Sequence, residues 1–275
     1  MTSVIQQQAA LYTRIFSLGM QNSLVYRWNF LVRAIAGFVP LLGSVFLWKA
    51  VFADANNQGF AGYDYHVMMA YFLSLIVLDA LTSPVEDDFA IASDIRDGRI
   101  SQVLLKPINY FTYRVSLFLS SRLVYAAVVC VPVGAMLIFF RDYFNSIPMA
   151  HTLPYALLAM IGSAFLQFTI TYAVAMLAFW LLEIGSVVFI IFSIEFLAGG
   201  HVFPLDVLPG PLYAICRWLP FAYEYYFPVG LFLGRIQGDA IWQGFLVQWA
   251  WIAFFYLVGQ ALWRRGLKRY TSVGN

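Results

Sequence analysis

The sequence predicts an all-α integral membrane protein with six membrane-crossing helices. Of its 275 residues, 62% are hydrophobic and only 11% are charged, and the mean hydropathy is +0.76. Soluble domains are about half apolar and about a quarter charged, and they avoid large exposed apolar patches. Lipid must therefore solvate most of this surface. The length suits a single membrane domain over residues 1–275.

Six mostly apolar stretches are long enough to cross a bilayer core, which needs about 20 residues of α-helix. They cover residues 32–52, 65–81, 117–140, 153–182, 184–203 and 240–263. Cytoplasmic loops of membrane proteins are enriched in lysine and arginine. With the amino terminus inside, 12 of the 16 basic residues fall on the cytoplasmic side. Both termini are therefore expected in the cytoplasm, with residues 264–275 as a basic tail.

Residues 1–31 are expected to contain an amphipathic helix, because apolar and polar side chains alternate there at helical spacing. The apolar set is Leu11, Tyr12, Ile15, Phe16, Leu18 and Met20. The polar set is Arg14, Ser17 and Gln21. This pattern predicts a helix that lies in the inner interface of the membrane. An amino-terminal extension of the first span is the alternative.

A densely charged segment, residues 84–110, joins the second and third spans. Gly98 stands where a helix would stop, and Ser101 is placed to cap a second short helix that ends before Pro107. We expect two short helices around a glycine turn at the cytoplasmic surface. A solvated connector is the plainer interpretation of such a charge run.

Prolines and glycines break the apolar, aromatic stretch at residues 204–235. The stretch is too apolar for a solvent loop and too broken for one span. A re-entrant pair of short helices, entering from the outer face, fits such backbone where protein covers it or water reaches it. The candidates for an outer gate are Pro204, Pro209, Pro220, Phe221 and Tyr225. Interface anchoring explains the aromatic members equally well.

The motifs of several chemistries are missing from the sequence. A phosphate-binding loop ends in Gly-Lys-Ser/Thr, but Lys49, Lys106 and Lys268 each follow a residue other than glycine. The three histidines lack the spacing of a zinc site, and no Gly-x-Ser-x-Gly elbow occurs. We expect no metal, no cofactor and no catalytic residues in this chain. A net charge of +2 does not indicate a nucleic-acid-binding protein.

Two carboxylates fall inside predicted spans. Asp79 lies near the inner end of the second span, and Glu195 lies about halfway along the fifth. An acid at the bilayer centre costs about 3 kcal/mol unless it is paired or hydrated, so each indicates a function. With Phe192, they are candidates for a translocation path. Asp79 has the alternative of reaching the interface or pairing with Arg122, and Glu195 that of pairing helices.

In this order, the features resemble the permease subunits of type 2 ABC exporters, in particular one bacterial branch of them. The resemblance covers nearly the whole chain. Its most specific segments are residues 94–100, 104–107, 203–209, 219–221, 226–228 and 263–270.

The resemblance implies a mechanism in which two permease subunits, identical or different, form a dimer in the bacterial inner membrane. A cytoplasmic ABC ATPase dimer would bind ATP and Mg²⁺ for them. The charged loop would be the coupling helix seated in the ATPase, the second and fifth spans would line the path, and the hairpin would close it outside. The coupling residues would be Asp94, Ile95, Arg96, Asp97, Gly98, Arg99, Leu104, Leu105, Lys106 and Pro107.

Two other functions stay open from the residues alone. One is an ion- or proton-coupled carrier that uses Asp79 and Glu195, although a proton relay would need more acids than these two. The other is a membrane scaffold without a transport path. The transported substrate is not indicated by any of the motifs.

Overall fold

The computed structural model describes residues 2–25, 27–54, 62–84, 87–145 and 147–270. In these ranges the chain forms α-helices and short 3₁₀ turns and no β-strand, which confirms the predicted all-α class. The helices are α1 (Thr2–Val25), α2 (Arg27–Ala36), α3 (Phe38–Asp54), α4 (Tyr65–Thr82), α5 (Asp87–Arg96), α6 (Ile100–Leu104), α7 (Tyr110–Phe139), α8 (Met149–Ala175), α9 (Gly185–Ala198), α10 (Gly210–Trp218), α11 (Tyr226–Phe232) and α12 (Asp239–Arg269).

Four helical stretches of the described residues are long and apolar enough to cross a membrane. They are Tyr65–Arg96, in which α4 and α5 are described and residues 85–86 are not, Tyr110–Phe139, His151–Phe179 and Asp239–Arg269. The apolar stretches Leu42–Ala53 and Gly185–Ala198 are shorter. A 14-residue helix such as α9 extends about 21 Å, less than the roughly 30 Å of a bilayer core. The chain is a multi-pass membrane protein, and six crossings stay a prediction.

The predicted first span is divided in the structure. α2 ends at Ala36 and α3 begins at Phe38, with a turn at Gly37 between them. Pro40 accounts for the break, because it lacks an N–H donor and its ring would collide with the carbonyl of Ala36 in a continuous helix.

α1 packs along the first half of α7. The Tyr12 hydroxyl accepts a hydrogen bond from the Asn109 backbone N–H at 3.1 Å, and a Cβ on Gly19 would overlap the Ser120 hydroxyl. Leu18, from the predicted apolar set, does not face α7, since its side chain is 63% exposed. The seam follows the small residues of α1, and this turns position 18 outward. The interfacial position of α1 stays a prediction.

α8 lies at the centre of the molecule, against α4, α5, α11 and α12. One buried cluster joins α4 and α8 to the hairpin. A second, the α5–α6 cluster, places Ile91, Ile95 and Ile100 against Phe168 and Tyr172 of α8. The charged loop is therefore anchored in the helix bundle through an apolar base.

α9 ends at Ala198, five residues before the predicted end of the fifth span, because the chain turns at Gly199 and Gly200. Gly200 has φ +95°, a conformation that side chains with a Cβ rarely adopt. The Tyr71 hydroxyl donates to the Gly200 carbonyl at 2.8 Å, and the Tyr226 N–H donates to the Gly199 carbonyl at 3.1 Å. Glu195 thus lies in the last turn of α9, and its expected position halfway along a span is wrong.

Residues 204–235 contain two short α-helices, α10 and α11, and the 3₁₀ turns Leu205–Val207 and Pro220–Tyr223. The turn Pro220–Tyr223 and most of α11 are buried, whereas α10 has no buried residue. One half of the hairpin is thus part of the core, and the other half lies on the surface.

The last helix runs further than its predicted span. α12 continues to Arg269, so the first half of the expected tail, residues 264–269, is helical, and residues 271–275 lie outside the described ranges. The Trp263 ring stacks on Tyr110 at 4.6 Å, which ties the end of α12 to the start of α7.

Candidate functional site

The charged loop consists of α5, a tight turn and α6. Gly98 occupies the turn with φ +75°, the left-handed conformation that glycine adopts most easily. The residue before α6 is Arg99, which makes no side-chain capping bond. The expectation that Ser101 caps this helix is wrong, because Ser101 lies inside it and its hydroxyl shares a hydrogen bond of 2.9 Å with the Tyr270 hydroxyl.

The Asp94 carboxylate accepts hydrogen bonds from several donors at the base of the loop. The buried guanidinium of Arg114, in α7, lies 3.3 Å from the Asp94 carboxylate and 3.5 Å from that of Asp87. The Tyr110 hydroxyl donates to Asp94 at 3.3 Å, and Arg99 Nε donates to it at 3.0 Å. We expect Arg114 to stay in this position, because moving its guanidinium away from the two carboxylates would leave buried charges without compensation.

Arg96 connects the loop to its surroundings, and Arg99 forms ion pairs within the loop. Arg96 donates to the Leu182 carbonyl at 2.8 Å and lies 3.5 Å from the Glu183 carboxylate, in the connection between α8 and α9. Arg99 also pairs with Asp97 at 2.9 Å. Its hydrogen bond to Asp94 raises the pKa of the Arg99 guanidinium. Because Arg99 is exposed, water screens these pairs and they stabilise the fold only slightly.

The tip of the loop is apolar and exposed. Leu105 is 88% exposed, Leu104 is 45% exposed, and Lys106 and Pro107 are exposed beside them. Ile95, from the same predicted motif, is buried in the α5–α6 cluster. The ten residues singled out from the sequence therefore divide into a buried or ion-paired base and an exposed tip.

Asp79, Phe192, Glu195 and Tyr225 line one cavity of about 350 Å³. The Tyr225 hydroxyl donates to Asp79 Oδ1 at 3.1 Å, and the Glu195 carboxyl adjoins both Tyr225 and the Glu224 carboxyl. The three residues proposed for a path thus meet, and a member of the proposed outer gate joins them. Arg122 donates to the Ser83 carbonyl at the inner end of α4.

Glu224 is a functional candidate that the sequence analysis missed. Its side chain is 1% exposed and lines the same cavity. It went unnoticed because it lies in the broken hairpin, outside the six predicted spans where an acid draws attention. The available signal was a single acid within the aromatic run at residues 221–227.

A buried polar network holds this part of the hairpin in place. Gln167 Nε2 donates to Thr82 Oγ1 at 3.1 Å and to Ser163 Oγ at 3.2 Å, while the Ser163 hydroxyl donates to the Glu224 carbonyl. Gln248 Nε2 of α12 donates to the Tyr223 carbonyl at 2.9 Å. Side chains of α4, α8 and α12 thus fix the position of residues 223–225.

The remaining gate candidates are spread through the hairpin. Pro204, Pro220 and Phe221 are buried, whereas Pro209 is exposed before α10. The structure does not bring the five candidates together at one point.

A separate polar contact ties the hairpin to the segment before α4. The Tyr63 hydroxyl donates to Asp206 at 2.8 Å, and Arg235 lies 3.2 Å from the same carboxylate. Burial and the Asp206 charge raise the pKa of Tyr63 above its usual range, so the hydroxyl stays protonated and continues to donate.

The described residues contain no group of three or more histidine, cysteine, aspartate or glutamate side chains arranged to hold a metal ion.

Comparison with known proteins identifies the family. A family model described as ABC-2 family transporter protein matches residues 38–274, which is α3 through α12 and most of the chain. No curated protein matches the chain. The matched range contains the charged loop, the cavity and the hairpin. The chain therefore belongs to the ABC-2 family of transporter proteins and is a membrane permease.

Proposed function

We propose that this chain is the permease subunit of an ATP-driven ABC exporter and that it couples through the α5–α6 loop to a separate cytoplasmic ATPase. One observation carries the proposal. The loop combines an anchored base with an exposed apolar tip at Leu104 and Leu105. Membership of the ABC-2 family supports it.

The proposed coupling follows from how the loop is anchored. A force applied at Leu105 reaches Gly98 and then the ion pairs of Asp94 and Arg114. The α5–α6 cluster carries it on to α8, and Arg96 carries it to the connection before α9. Because packed interiors deform little, a push at the tip moves these helices as units.

The rest of the complex is part of the same proposal. Two permease chains, identical or different, lie side by side in the bacterial inner membrane, with six crossings each and both termini in the cytoplasm. A dimer of ATPase subunits binds ATP and Mg²⁺. Asp79, Phe192 and Glu195 line the path, and the hairpin closes its outer end.

Copurification with a matched pair of variants tests the coupling. We expect Leu105→Asp to reduce the ATPase that copurifies with the chain by about tenfold or more, because a charge replaces a central apolar anchor. Leu105→Met keeps an apolar side chain of similar volume and should retain the ATPase. Since Leu105 is 88% exposed, both variants should accumulate in the membrane like the parent. Equal recovery of ATPase by both variants contradicts the proposal.

A second candidate function is a proton-coupled carrier. Glu224 favours it, because its carboxyl adjoins Glu195 and joins Asp79, Asp88 and Glu195 in the lining of the cavity. Transport that follows a proton gradient in vesicles without ATP supports the carrier. Transport that requires ATP and continues without a gradient rejects it.

A further inference from the structure

The cavity of about 350 Å³ is lined by four acids, Asp79, Asp88, Glu195 and Glu224. Asp79 is exposed, and Asp88 and Glu195 are half-buried. Glu224 is 1% exposed. Carboxylates in a membrane interior need a partner charge, a proton or water. The cavity therefore presents several carboxyl oxygens to a ligand that enters it.

Gln167 gives a second and independent observation, because it is not one of the acids. It is 4% exposed, lines the same cavity, and its Oε1 has no hydrogen-bond partner among the described residues. Glu224 Oε2 also has no hydrogen-bond donor there, and the Glu224 carboxyl adjoins the carboxyl of Glu195, another acid. Buried polar atoms are normally hydrogen-bonded, so two such atoms in one cavity indicate a missing partner.

The orientation of the Gln167 amide follows from its neighbours. The Thr82 hydroxyl donates to the Leu78 carbonyl, and the Ser163 hydroxyl donates to the Glu224 carbonyl. Each hydroxyl hydrogen is thus used, so both oxygens must accept from the Gln167 nitrogen. Oε1 is then the free end of the amide. Both atoms that lack a partner, Gln167 Oε1 and Glu224 Oε2, are therefore acceptors.

The complementary ligand carries N–H donors and positive charge. Among the described residues, no group of three or more acids, histidines or cysteines is placed to hold a metal ion. An extended organic cation therefore fits better than a metal cation. The walls fit its apolar body, since Ile170, Val188 and Ile191 line the cavity together with the rings of Phe192 and Tyr225. Aromatic faces also attract cations.

We propose that this cavity binds a hydrophobic organic amine, with the ammonium held by Glu224 and Glu195 and one N–H donated to Gln167 Oε1. The inference rests on the proposed function only in making this amine the exported substrate. The binding itself requires nothing from the ATPase.

The test measures binding to the purified full-length chain in lipid nanodiscs. The probe is dansylcadaverine, a primary amine with an aromatic fluorophore, and its N-acetyl derivative is the neutral control. We expect saturable binding of the amine and at least about tenfold weaker binding of the amide, because loss of a buried charge pair has an effect of this size or more.

Three variants locate the site. Glu224→Gln and Glu195→Gln should each weaken binding of the amine, whereas Asp142→Asn, at a surface carboxylate that is 81% exposed, should leave it unchanged. Glu195 is only half-buried, so its variant decides the outcome should Glu224→Gln fail to fold. Equal binding of amine and amide overturns the inference, as does unchanged binding by Glu195→Gln. Amine binding by a chain that recruits no ATPase supports this inference while it contradicts the proposed function.

Discussion

The guanidinium of Arg114 is buried between Asp87 and Asp94, at 3.5 and 3.3 Å. We expect Arg114→Gln to lower the free energy of unfolding by about 3 kcal/mol, because it leaves two largely buried carboxylates without their partner. Arg141→Gln removes a pair whose side chains are both about four-fifths exposed, so it should change stability by less than about 1 kcal/mol. Thermal denaturation of the detergent-purified variants measures both effects. Equal melting temperatures for Arg114→Gln and Arg141→Gln would contradict the stabilising role of the Arg114 ion pairs.

At the scale of single residues, sequence patterns identified some residues of the candidate site and missed others. Asp79 and Glu195 were identifiable because an acid in an apolar span is rare. Glu224 was missed because the hairpin around it contains prolines and did not qualify as a span. The cap at Ser101 was wrong because the turn at Gly98 closes through the backbone, with the Ser101 N–H donating to the Gly98 carbonyl at 3.1 Å. The Ser101 hydroxyl bonds instead with Tyr270, 169 residues away, and local patterns do not report such a tertiary partner.

At the scale of helices, the sequence predicted where apolar helices occur better than where they end. Gly98 marks a turn that its left-handed φ requires. Pro40 and Gly200 interrupt apolar runs that hydropathy alone joins into spans. The early end of α9 depends on Tyr71 and Tyr226, which come from distant parts of the chain. Hydropathy cannot predict such long-range contacts.

The contact between α1 and α7 gives a prediction at the same scale. A side chain at Gly19 would overlap the Ser120 hydroxyl, so Gly19→Ile should weaken this packing by about 2 kcal/mol through overpacking. We expect trypsin to cleave after Arg14, which is exposed, several times faster in the variant. Limited proteolysis in detergent, followed by mass spectrometry, measures the rate.

The matched control is Ser17→Ile, which places the same side chain on the exposed side of α1. It should be cleaved at the parental rate. Equal rates for both variants would mean that α1 leaves α7 without cost, and the close contact at Gly19 would then have no role in holding it.

For the whole molecule, composition and charge predicted membrane class and orientation, and family membership agrees with the class. The orientation gives a direct prediction. In a chain whose Cys130 and Cys216 are replaced by alanine, a membrane-impermeant maleimide should label Asp142→Cys in intact cells. It should label Leu105→Cys only after the membrane is opened. The reverse pattern contradicts cytoplasmic termini.

The central claim is that the tip of the α5–α6 loop is seated against an ATPase subunit in the assembled transporter. Its most direct measurement is photo-crosslinking in native membranes, with a photoreactive amino acid at Leu105 and, as a control, at Asp142. We expect position 105 to yield an adduct whose partner is identified by mass spectrometry as an ABC ATPase, and position 142 to yield none. Adducts with lipid alone at position 105, in membranes that contain active transporter, would contradict the account.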